Sequence, residues 1–214
     1  MTKQNFPDYI PIFPLSNAVF FPKTILPLNI FEDRYIQLVN DCMQENRLFG
    51  MVQPKSKIGK KPEVYKVGCL GKIISFNETK DNRFIIALSG ITRFKILEEV
   101  NNDKLYREFI VDYSEYSKDL KKEEIIEKNN EKNNLLKKVE LLFNKMDCYV
   151  ELKEFKKLSL DQLISTISMV SPFSIEEKQK LIETIKLEDK IKILEEIINF
   201  NLLDNINNEV KTFQ

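Results

Sequence analysis

Val67-Gly68-Cys69-Leu70-Gly71 is the closest approach in this sequence to a glycine-rich phosphate loop, and it falls short. A dinucleotide fingerprint needs three glycines and a helix after them; here there are two, inside a strand-like run that continues as strand. Glycines so placed mark close backbone approaches or a bulge in a curved sheet. None of the five glycines (Gly50, Gly59, Gly68, Gly71 and Gly90) belongs to a GxxxxGK[ST] or GxGxxG pattern, so no nucleotide cofactor is expected. The run Lys55-Ser56-Lys57-Ile58-Gly59-Lys60-Lys61 could collect anions. No aromatic side chain interleaves with its lysines until Tyr65, however, and it reads as a solvated loop.

The chain contains no histidine, which removes Ser-His and Cys-His nucleophile pairs and every His-ligated metal site. Cys42, Cys69 and Cys148 are odd in number, widely separated and in no CxxC arrangement, so neither a disulfide framework nor a zinc knuckle is indicated. They point to a reducing compartment. A Ser-Lys dyad stays open by composition alone, but nothing in the pattern marks one lysine as buried with a lowered pKa. The pairs Glu98-Glu99 and Glu123-Glu124 fall where strand ends or helix starts would put them, and no spacing singles out an acid and a base. The expectation is no catalytic residue, no metal ligand and no cofactor.

Hydrophobic residues make up 43% of the 214 and charged residues 31%, with 33 basic against 33 acidic side chains, a globular profile without electrostatic preference for nucleic acid or anionic membrane. The N-terminus has no apolar stretch of signal-peptide length, and nowhere do about 18 apolar residues run together. A cytoplasmic, non-membrane protein is expected.

The elements that must position any site come in two kinds. At the start, Pro11, Pro14, Pro22 and Pro27 alternate with apolar pairs. Each lacks an N–H and fixes φ, which suits edge strands, strand beginnings or turns. From Glu32 to Gln44 the apolar positions Tyr35, Ile36, Val39, Cys42 and Met43 recur every three or four residues, which predicts one amphipathic helix. Leu48 to Val52, Glu63 to Phe76, Phe84 to Ser89, Thr92 to Leu97 and Leu105 to Tyr113 read as strands, with turns at Thr79 to Asn82 and Asn101 to Asp103. After Tyr116 there is no glycine, only Pro172, and a helical period nearly throughout. Leu135, Val139, Leu142, Phe143 and Met146 form one stripe, and Ile191, Leu194, Ile197 and Ile198 another. Ser159 to Gln162 and Ser174 to Glu177 each fit a capping box. This is an α+β chain: a strand-rich domain over 1–116 with one inserted helix, then a helical bundle over 117–214.

Several motifs in order resemble the Lon N-terminal (LON substrate-binding) domain family, in the stand-alone bacterial form without ATPase and protease domains. Ile12-Phe13-Pro14-Leu15, Val19-Phe20-Phe21-Pro22, Leu26-Pro27-Leu28 and Ile30-Phe31-Glu32-Asp33-Arg34-Tyr35 are similar to its opening motif. Val67 to Gly71 with Ile73 to Phe76, Leu88-Ser89-Gly90 and Arg93-Phe94-Lys95-Ile96 resemble its central strands. Pro172 to Gln179 with Leu181-Ile182-Glu183 resembles its late helical signature. One departure is Lys23-Thr24, where many members carry Gly after Phe-Pro, which puts in question a turn that needs positive φ.

The resemblance implies a PUA-like six-stranded pseudo-barrel followed by helices. It also implies a non-catalytic module that engages unfolded or specific protein partners, with a separate ATP-dependent protease as a candidate collaborator. Phe20, Phe21, Ile25 and Phe31, aromatic and aliphatic side chains crowded beside prolines, are the candidate protein-binding residues; the competing placement for each is the barrel core. PUA-like barrels also occur in RNA-binding proteins, an alternative that the balanced charge disfavours because phosphate contacts need clustered cations. A self-contained peptidase ranks last.

Overall fold

The computed structural model describes residues 6–16, 18–55, 61–121, 129–147 and 151–211. Its strands are β1 (Tyr9–Pro14), β2 (Ile25–Ile30), β3 (Leu48–Val52), β4 (Val67–Glu78), β5 (Phe84–Val100) and β6 (Arg107–Asp112). They form one mixed sheet in the order β2-β5-β4-β3-β1-β6, which a further β5–β6 pairing closes into a six-stranded pseudo-barrel. Among these described strands only β1 and β3 pair in parallel.

The opening strand is not at an edge. β1 lies between β6 and β3, and it tolerates two prolines because it exchanges partners midway. Tyr9 to Ile12 register with β6, and Ile12 to Pro14 with β3. Pro11 and Pro14 therefore each face a partner strand on one side only, and a missing N–H there interrupts at most one ladder. The edge strand is β2, which carries Pro27 and pairs with β5 alone.

Phe84 to Ser89 and Thr92 to Leu97, read from sequence as separate strands, are one 17-residue strand. Gly90, which looks like a break, is the residue at which the β2 ladder ends: β2 registers with Phe84 to Ser89 and β6 with Lys95 to Val100, while β4 runs alongside from Phe84 to Lys95. The Gly90 backbone is satisfied by the β1–β2 loop, its N–H donating to the Thr24 carbonyl and its carbonyl accepting from Lys23 N–H, both at 2.9 Å. The glycines of Val67 to Gly71 also behave as sheet glycines. A Cβ on Gly68 would lie 2.4 Å from the Met51 carbonyl oxygen, and Gly71 adjoins a register shift between β4 and β5.

Ile10, Ile12, Val52, Leu70, Phe94, Ile96, Phe109 and Val111 pack as one buried cluster inside the barrel. Helix α1 (Asp33–Gln44) buries Tyr35, Val39 and Cys42 of the expected stripe together with Leu38, while Ile36 and Met43 are half-buried at its margin, and the Tyr35 ring stacks on Phe13 at 3.9 Å between centroids. After β6 a 3-10 segment, Ser114–Leu120, packs against β5. The chain divides into two compact units, Met1–Lys121 and Lys122–Gln214.

The second unit contains α2 (Asn129–Lys145), α3 (Leu152–Lys157), α4 (Leu160–Val170), α5 (Ile175–Glu183) and α6 (Leu187–Lys211), with α6 contacted by α2, α4 and α5. Leu135, Val139, Leu142 and Phe143 of α2 and Leu194, Ile197 and Ile198 of α6 are buried, while Met146 and Ile191 are half-buried. Ser174 and Glu177 make the full capping box, whereas Ser159 supplies its half by accepting from Gln162 N–H. These caps fix where α5 and α4 begin.

Candidate functional site

β5 begins Phe84-Ile85-Ile86-Ala87-Leu88, an apolar run with no alternation, as expected of a strand covered on both faces. Here Phe84, Ile86 and Leu88 point into the barrel and are buried, while Ile85 is exposed and Ala87 half-exposed. Register extends this outer face across the sheet. Ile25 pairs with Ser89 and then Lys72, Pro27 with Ala87 and then Ser75, and Asn29 with Ile85 and then Asn77. Ile74, the extra residue of the bulge between Ile73 and Ser75, is 54% exposed beside them. Phe31, just past the end of β2, is 61% exposed with the Arg83 guanidinium 5.9 Å from its ring centre. The result is an apolar strip of Ile25, Pro27, Ala87, Ile85 and Ile74 on and beside an edge strand, with Phe31 at one end and Lys72 at the other.

The four residues singled out from sequence divide evenly. Ile25 (57% exposed) and Phe31 are on this surface. Phe20 (3%) and Phe21 (0%) are in the core and present no surface as folded. They hold the β1–β2 loop against the barrel: the Phe21 carbonyl accepts from the Thr24 hydroxyl at 2.6 Å, and a Cβ on Gly90 would come within 2.2 Å of that carbonyl oxygen. The turn requiring positive φ is present, with Lys23 at φ 62° in place of glycine. Ile85, Pro27, Ala87 and Ile74 were not among the sequence candidates. A continuous apolar run gives no sign of which alternate residues face outward, and only the register with β2 and β4 shows it.

The described side chains whose chemistry could cut or transfer a bond are placed as follows. No group of three or more His, Cys, Asp or Glu side chains there could hold a metal ion. The Cys42 thiol is buried, and burial pushes its pKa up to about 12. Lys178 is a buried lysine whose amine burial pushes below its ordinary pKa, but its Nζ donates to the Met169 carbonyl at 2.9 Å rather than to a serine hydroxyl. Glu99 is held down by its hydrogen bonds to Arg107. Glu123, Glu124 and Ser56 to Lys60 lie outside the described residues. No described helix is long and apolar enough to cross a membrane.

Residues 9–199 match the family described as the ATP-dependent protease La (LON) substrate-binding domain. The chain belongs to that family. Among its relatives, a Lon protease of Dictyoglomus thermophilum is 24% identical over 97% of this chain but only 27% of its own length. A Lon protease of Desulfosudis oleivorans is 27% identical over 94% of this chain and 25% of its own. The chain thus spans about a quarter of the length of these relatives. The fold agrees with solved structures: the Lon N-terminal domain protein of Xanthomonas campestris (TM-score 0.64, 19% identity) covers 87% of this chain and 96% of its own. The N-terminal domain of a Mycobacterium avium complex Lon protease (TM-score 0.65, 11% identity) covers 89% and 98%.

Proposed function

We propose that this LON-family chain is a non-catalytic recognition module that holds unfolded segments or a specific protein partner on the outer face of β2, β5 and β4. Ile25, Phe31 and Ile85 make the main contacts, and Phe20 and Phe21 act from beneath by fixing the loop that precedes β2. The observation that carries the reading is the exposed apolar strip on an edge strand. Such a strip on a folded chain marks an interaction site, and an extended segment laid along it would bury alternate apolar side chains. The family description, with its word for substrate binding, supports the same reading. Delivery of the held segment to a separate ATP-dependent protease is the corresponding role in the cell.

The test is retention of a permanently unfolded polypeptide, reduced and carboxymethylated lysozyme, on the immobilised chain. Micromolar binding is expected, and Ile25→Asp with Ile85→Asp should weaken it at least tenfold, since each lost apolar contact is worth roughly 1.5–3 kcal/mol. Both side chains are exposed, so the melting temperature should hold. Equal retention by the double variant sinks the assignment. Phe21→Ser is unsuitable, because removing a fully buried ring tests folding rather than binding.

A further inference from the structure

A separate cavity of about 390 Å³ opens where the start of β1 passes the C-terminal end of α1 and the loop before β6. That volume is at the small end of the range of roughly 300–1,000 Å³ usual for small-ligand sites. Pro7, Pro11, Tyr9 and Leu48 supply its apolar walls. Its floor is polar and already arranged: the buried Glu108 accepts from Asn102 Nδ2 at 2.6 Å, from Lys104 Nζ at 2.9 Å and from the Tyr9 hydroxyl. Among the described residues Lys104 is the one cation in the lining, and its charge is committed to Glu108. The carboxylates of Asp8 and Glu45, both exposed at the lining, have no such compensation among its described residues. Glu45 caps the C-terminus of α1, whose carbonyl end adds partial negative charge at the same place.

Apolar walls of this size with net negative charge do not suit a phosphate or a carboxylate. They suit a cation on a short hydrocarbon stem. We propose that this cavity binds a guanidinium or primary ammonium group carried on an alkyl chain, the head between Asp8 and Glu45 and the stem against Pro7, Pro11 and Leu48. The site shares no residue with the apolar strip of β2, β5 and β4, so it stands or falls separately from the proposed recognition of apolar segments. The chemistry has two sources, an arginine or lysine side chain of a bound polypeptide or a free alkyl amine, and the probes separate them.

The experiment titrates the ¹⁵N-labelled full chain with three probes: the tripeptide acetyl-Gly-Arg-Gly-amide, free agmatine, and the neutral isostere acetyl-Gly-citrulline-Gly-amide. Saturable shifts of the Asn46 and Leu48 amide signals are expected with a cation, at a Kd of about 1 mM or tighter. Asp8→Asn with Glu45→Gln should raise that Kd about tenfold without changing the melting temperature, and added salt should weaken binding. A response to both cations identifies a polypeptide side chain as able to enter; a response to agmatine alone identifies a free amine. Either outcome upholds the site. The proposal is overturned by saturation with neither cation, by an unchanged Kd in the double variant, or by equal binding of the citrulline tripeptide.

Discussion

Arg93 and Asp119, 26 residues apart in sequence, form a buried ion pair that ties the 3-10 segment after β6 to strand β5. Asp119 Oδ2 accepts from both the backbone N–H and Nε of Arg93 at 2.9 Å, and Oδ1 accepts from Nη2 at 2.7 Å. Both side chains are almost fully buried, and the guanidinium also lies 4.8 Å from the centre of the Tyr116 ring. Planar pairing of this kind satisfies the carboxylate by geometry as well as charge. It keeps Ser114–Leu120 with the strands although its local conformation is helical.

Breaking that pair from one side should be severe. Asp119→Ala leaves a buried guanidinium without its counter-charge, and a loss of about 3–5 kcal/mol in urea unfolding is expected. Arg93→Met with Asp119→Leu removes both charges and should lose clearly less than the sum of the two single changes. An additive double variant would mean that the pair is not energetically coupled.

At Gly90 the barrier to a side chain is backbone, not a movable neighbour. Gly90→Ala places a methyl group against the Phe21 carbonyl, so the β1–β2 loop must shift. A destabilisation of about 1–3 kcal/mol is expected in thermal or denaturant unfolding, together with faster hydrogen exchange at the Lys23 amide, which donates to the Gly90 carbonyl. Wild-type stability and exchange in this variant would contradict the packing of the loop described above.

Lys23 tests the same loop from its other side. At φ 62° a β-branched residue is penalised most, so Lys23→Ile should cost about 1–2 kcal/mol, while Lys23→Gly should be neutral or stabilising. Urea midpoints of the two variants, compared at equal slope, decide it; equal midpoints would show that the loop does not hold that backbone conformation.

Lys178 carries a pH dependence whose sign follows from its burial. Its amine holds its proton less tightly in the folded chain than in the unfolded one. The unfolded state therefore binds more protons in the window below the ordinary lysine pKa, and stability from this group rises with pH there. Relative to Lys178→Met, the wild type should gain stability between pH 7 and about pH 10, measured by denaturant unfolding at each pH. A constant difference would remove the desolvation argument.

The helical half was legible because period and caps are local signals. Ser174 and Glu177 sit three residues apart in any conformation, and the stripes of α2 and α6 need only a 3.6-residue repeat to appear. The barrel was legible in outline, since β-branched runs and turn residues mark strands wherever they pair. It was illegible where pairing itself decides. Pro11 and Pro14 suggest an edge by their chemistry, yet β1 is internal because its two halves use different neighbours.

The candidate surface shows the same division. Sequence alone determined that the chain is α+β, that its opening motif belongs with the LON domains, and that apolar side chains crowd around β2. Tertiary structure alone decided which of them reach solvent: Phe20 and Phe21 go inward while Ile25 and Phe31 go outward, joined by Ile85 from a strand 60 residues further along. Strand period fixes which residues alternate, but the closure of β5 onto β6 fixes which side of the sheet is inside, and that is a property of contacts remote in sequence.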